Sequence, residues 1–154
     1  MEGIRSAHQK TGLAPSSVIV DSAPFVAAKV SSPLGYDAET DRLLVNPGWP
    51  HWGSLAARTA ELAGAGVWST RTDDHIYVHE MAHKSLALKL GIDTYRSFRR
   101  ERWQDAADVE VAKQVSAQAA KSPSEFVAEV YAMLRNGLRV PVQVRVLYAR
   151  LEGP

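Results

Sequence analysis

The chain has 154 residues, 45% of them hydrophobic and 23% charged, which fits one soluble globular domain built on a single core. Eighteen basic residues against seventeen acidic leave a net charge of +1, so composition gives no overall electrostatic pull toward nucleic acid or an anionic membrane. With no cysteine, disulfides, thiolate metal sites and cysteine nucleophiles are excluded, and any tight metal site must draw on His, Asp and Glu.

The opening MEGIRSAHQK is polar and has no apolar run like that of a signal peptide. Residues 1–15 therefore read as a flexible lead-in and residues 16–154 as a single domain. No later stretch approaches the roughly eighteen apolar residues of a membrane span, so the expected location is the cytoplasm, with no membrane partner. Three short strands are predicted, at VIV 18–20, FVAAKV 25–30 and LLV 43–45, the last following the turn-like DAETD. PGWPHWG at 47–53 is a loop, and SLAARTAELAG beyond it has the composition of a helix over about 54–63.

The next helix is predicted over 73–90, with Thr72 or Asp73 as its N-cap and Gly91 as its stop. After a polar, basic passage, helical composition returns from Trp103 to Ala120. It returns again over 123–136, where Ser122 or Ser124 can cap and Asn136-Gly137 closes. The ending VPVQVRVLYARLEGP is ambiguous, its alternating valines favouring a strand and Leu147, Tyr148 and Leu151 a helix from Pro141. The fold class expected is α+β, a small, partly antiparallel sheet packed on helices with the 73–90 helix at the centre and β-strand 43–45 forming the edge of a cleft.

That central helix carries HIYVHEMAHKSL. His79 and His83, four residues apart, lie about 40° apart around a helix and one turn from each other, so both rings can reach one ion. Glu80 lies about 100° round from His79, outside the ligand face but within reach of a water on the metal, which makes it a general-base candidate. His75 is read as a first-turn surface residue, because three histidines spread over two turns of one straight helix exceed what a tetrahedral site takes; His51 is a rival ligand from a loop. Glu125 and Glu129 are also four apart, on the 123–136 helix. Either carboxylate could supply a third ligand while the other orients a histidine ring. The arginines 96, 99, 100 and 102 with Phe98 and Trp103 form a basic, aromatic cluster, but Glu101, Asp105 and Asp108 interrupt it, so a solvated linker is expected and no nucleic-acid partner.

HEMAH, followed 42 residues after its second histidine by SEFVAEVYA, resembles the zincin peptidases whose third ligand is glutamate, in particular the anthrax lethal factor-like group and related modules of phage head-morphogenesis and toxin proteins. The resemblance covers roughly residues 42–154. It implies zinc bound by His79, His83 and Glu125, Glu80 as general base, and Glu129 as a supporting carboxylate. The implied activity is endopeptidase hydrolysis of a peptide or protein substrate, with the oligomeric state left open. Where that group has a tyrosine seven residues before the third ligand this chain has Gln118, leaving Tyr36, Tyr95 and Tyr131 as candidates for oxyanion stabilisation. Two other readings stand beside it: an HExxH protease that cleaves phage-type repressors, and a zinc-bearing structural module of a phage or toxin assembly without turnover.

Overall fold

The computed structural model describes residues 2–154. The expected lead-in is largely helical: α1 (Glu2–Thr11) buries Ala7 and lies along the central helix. Its Ser6 hydroxyl and Lys10 ammonium both meet the Asp74 carboxylate, at 2.5 and 2.6 Å, so this segment is tied to the domain by partly buried polar contacts that its own composition does not reveal.

The strand β1 (Ser17–Val20) appears where expected, but FVAAKV does not form a strand. It falls mostly in the short helix α2 (Ala23–Ala28), which has a proline in its first turn and is capped by the Asp21 carboxylate at 2.9 Å from the Ala23 N–H. The missing strand lies later, at β2 (Leu34–Asp37), and is followed by β3 (Arg42–Val45). The order is β1-β3-β2, with β1 parallel and β2 antiparallel to β3. β3 is therefore the middle strand. Both of its sides are paired, so it cannot form a cleft edge as the sequence suggested, and the strand with a free side next to the helices is β2.

Helix α3 (Leu55–Gly64) matches expectation, and the central helix α4 (His75–Leu90) begins after Asp74 rather than after Thr72 or Asp73. Gly91 ends it with φ at 80°, a conformation that a side chain resists. Buried residues occur all round α4, including Ile76, Val78, Met81 and Leu86, because α1, β2 and two later helices all pack on it. The first of these is α5 (Ile92–Arg100), formed by part of the presumed linker, which buries Tyr95 and Phe98. The helix expected over 103–120 is shorter, α6 (Ala106–Lys113), and gives way to a 3-10 turn at Ala119–Lys121. There the main chain leaves the helix to pair with another loop, Ala117 N–H to Gly66 at 2.7 Å and Gln118 N–H to Val67 at 3.1 Å. The second helix against α4 is α7 (Pro123–Arg135), capped by the Ser122 hydroxyl. Helix α8 (Val142–Arg150) settles the ambiguous ending in favour of helix.

The fold is thus α+β, with eight α-helices and a three-stranded mixed sheet among the described residues. Among the described residues no helix is long and apolar enough to cross a membrane.

One polar contact locks the sheet to α4. Lys84 places its ammonium 2.7 and 2.6 Å from the two Asp41 oxygens and 2.7 Å from the Ala14 carbonyl. Burial works against a charged Asp41, but Lys84 and the Ser16 and Tyr36 hydroxyls lower its pKa from 3.8 to about 2. A folded value below the unfolded one contributes stability above about pH 4, lost as pH falls toward 2. The advantage of wild type over Asp41→Asn is expected to be about 1–2 kcal/mol at pH 7 after allowing for solvent screening, and to vanish near pH 2 in denaturant melts. A difference independent of pH would contradict this.

Candidate metal centre

Helices α4 and α7 form the most extensive helix pair in the fold, and the site lies where they meet. One turn separates His79 from His83 on α4, with ring centroids 5.1 Å apart, and one turn separates Glu125 from Glu129 on α7. The Ser122 cap, 3.3 Å from the Glu125 N–H, fixes the first turn of α7 and so the direction of Glu125. The Glu125 oxygens stand 3.2 Å from His79 Nε2 and 3.6 Å from His83 Nε2. One nitrogen or oxygen atom from each of His79, His83 and Glu125 falls within 4.8 Å of the others.

Glu129 behaves differently. It is fully buried, and every direction around its carboxylate is filled: His79 Nδ1 at 2.8 Å and His75 Nε2 at 3.2 Å on one oxygen, the Ser69 N–H at 2.7 Å and the Ser116 hydroxyl at 3.0 Å on the other. This bond places a proton on His79 Nδ1 and leaves Nε2 to face Glu125. His75 is no surface residue: it is 1% exposed, because Glu129 and the Thr70 hydroxyl, 3.0 Å from its Nδ1, satisfy both ring nitrogens and Trp68 covers its ring. Sequence spacing could not reveal this, since Thr70 and Glu129 come from outside the helix.

Two groups could therefore hold a metal ion, His75–His79–Glu129 and His79–His83–Glu125. They share His79 but differ in access. In the first, His75 and His79 line the cleft of about 790 Å³ but the carboxylate of Glu129 lies behind it and is already saturated, whereas all three side chains of the second line that cleft, as does Glu80. His51 lines this cleft but belongs to neither group.

Arg99 enters the site from α5. Its Nη1 lies 3.0 Å from Glu125 Oε1 and almost equally far from both ring nitrogens of His83, 3.0 and 3.4 Å. The two lone-pair directions of an imidazole diverge widely, so one donor placed this way leans against the ring instead of occupying the Nε2 lone pair. The remaining Glu125 oxygen takes a 2.6 Å hydrogen bond from Gln118 Nε2. Gln118 reaches this place because the main chain breaks from α6. The expectation that the basic stretch is a solvated linker is corrected at this residue, since Arg99 belongs to the site; Arg96 instead pairs at the surface with Glu39 and Asp93.

The charges follow from this packing. Burial disfavours a protonated His79, yet Glu125 and Glu129 on its two sides raise its pKa well above the usual histidine value. Burial together with the Arg99 cation pushes His83 well below it, leaving that ring neutral. Glu125 and Glu129 are held below the ordinary carboxylate range against the cost of burial, mainly by His79 for the first and His75 for the second. Glu80 is raised, chiefly by burial, with His79 opposing. Of the three tyrosines considered for oxyanion stabilisation, none lines the cleft: the Tyr36 hydroxyl donates to Asp41 at 2.7 Å, and the Tyr95 and Tyr131 hydroxyls are buried without partners.

No protein-family model matches this chain, and no curated protein or solved structure is significantly similar to it.

Proposed function

We propose that this protein is a zinc-dependent peptidase whose metal is held by His79, His83 and Glu125. The observation that carries the reading is that these three side chains converge on one side of an open cleft with Glu80 beside them. Two imidazole nitrogens and one carboxylate are a donor set suited to zinc, and the open cleft leaves a position for substrate. The motif order shared with the glutamate-type zincins supports the same assignment. Zinc bound there would polarise a carbonyl and make a bound water more acidic.

The chain's own residues supply the rest. Glu80, whose pKa is raised by burial, lines the cleft where it could take a proton from the attacking water and pass it to the departing amine. Glu129 holds His79 in the tautomer that leaves Nε2 free, and Ser69 and Ser116 hold Glu129. Gln118, a cleft-lining donor beside Glu125, takes the part of oxyanion stabilisation that no tyrosine fills. β2 replaces β3 as the strand along which an extended substrate could lie, since Leu34 and Gly35 line the cleft.

The test is zinc analysis and cleavage of a broad peptide library by wild type and Glu125→Ala. Wild type should carry one zinc and cleave, with cleavage lost on chelation and restored by zinc; Glu125→Ala should lose both. Unchanged zinc content in the variant removes Glu125 from the ligand set, and a zinc-loaded wild type that cleaves nothing removes the peptidase assignment.

A further inference from the structure

The cleft around the candidate metal centre is unevenly charged. Arg58, Arg99 and Lys121 line it, against only two carboxylates, Glu80 and Glu125. Both carboxylates have work to do within the site, and a divalent ion there would offset them, leaving three cations facing the substrate. The cations are also open to the cleft. Arg99 keeps 39% of its side chain accessible, Lys121 is exposed and touches only the Gln118 side-chain oxygen at 2.6 Å, and the partner of Arg58 is the well-exposed Glu61 at 2.7 Å. Exposed pairs of that kind are weak, and like charges along a concave, low-dielectric wall focus the field inside it.

On the peptidase reading above, we infer that the substrate is an acidic peptide, with an Asp or Glu close to the bond cleaved engaged by Arg99 and further carboxylates drawn in by Lys121 and Arg58. Arg99 touches Glu125, so the residue it binds lies next to the reacting carbonyl, while Lys121 on the 3-10 turn stands farther out. A guanidinium suits this because its planar fork can hold a carboxylate through two parallel hydrogen bonds. The near-neutral charge of the whole chain does not conflict with the inference, since the cations are concentrated at one concavity.

Binding tests it without turnover. Zinc-loaded Glu80→Gln is titrated with three matched fluorescent peptides that carry Glu, Gln or Lys at the same positions, and anisotropy is read at low and high salt. The Glu peptide should bind at least about tenfold tighter than the Gln peptide at low salt, with the advantage shrinking toward 0.5 M salt. Adding Lys121→Gln, which alters no ligand, should cut that advantage severalfold at unchanged zinc content, and Arg99→Gln should remove most of it. Equal binding of Glu and Gln peptides, preference for Lys, or no binding of any peptide overturns the inference. An acidic preference that persists while wild type cleaves none of the three would overturn the peptidase reading instead and leave the acidic-peptide site standing.

Discussion

Glu80→Gln is expected to lower peptide hydrolysis by about 10²–10⁴-fold while zinc content and thermal stability stay at wild-type levels. The amide has nearly the shape of the carboxylate and still fits the half-buried position on α4, but it cannot accept a proton at neutral pH. Glu80 belongs to neither group that could hold a metal, so its replacement should leave zinc binding intact. The same burial that raises Glu80 predicts that the acid limb of the activity profile lies above the ordinary carboxylate range. Activity within threefold of wild type in the variant would assign the base elsewhere.

Glu129→Ala should have the largest effect on the fold. Its carboxylate accepts from four groups, two histidine rings, the Ser69 main chain and the Ser116 hydroxyl, and all but the half-buried Ser69 are buried with it. Removing it leaves buried donors without partners beside a cavity, a loss of about 3–5 kcal/mol. His79 would also lose the acceptor that fixes its ring, so zinc affinity should fall about 10–100-fold even under conditions where the variant folds. Glu129→Gln keeps an oxygen for the histidines but presents an amide donor or an oxygen, not two acceptors, and should lie between. Urea melts of the metal-free proteins and chelator competition separate the two effects. A loss under about 1 kcal/mol with unchanged zinc affinity would mean that the network does not position His79.

The parts of this site that were legible in the sequence are those set by helical spacing. His79, Glu80 and His83 follow from the repeat of a single helix, and Glu125 and Glu129 from the repeat of another whose cap, Ser122, can be read one residue before Pro123. What joined the two helices was resemblance, since nothing in either segment specifies its partner. The misreadings share a cause in contacts distant along the chain. LGYD becomes a strand only because β3 pairs with it, and FVAAKV loses its strand character to a proline and an Asp21 cap. His75 is buried by Thr70, Trp68 and Glu129. Arg99 is drawn into the site by Glu125 on α7 although its neighbours in sequence are surface charges.

With β3 paired between β1 and β2, β2 is the strand with a free side toward the helices, and the DAETD turn that joins β2 to β3 carries Asp41, which Lys84 of α4 clamps. The sheet and α4 are therefore held in register by an ion pair one residue away from His83.

The most direct test of the central claim is diffraction from zinc-soaked crystals at the zinc absorption edge. A single anomalous peak about 2.0–2.2 Å from His79 Nε2, His83 Nε2 and a Glu125 oxygen, with a further position open to the cleft, is the predicted result. A peak bound instead by His75 and Glu129, or none at saturating zinc, would contradict it.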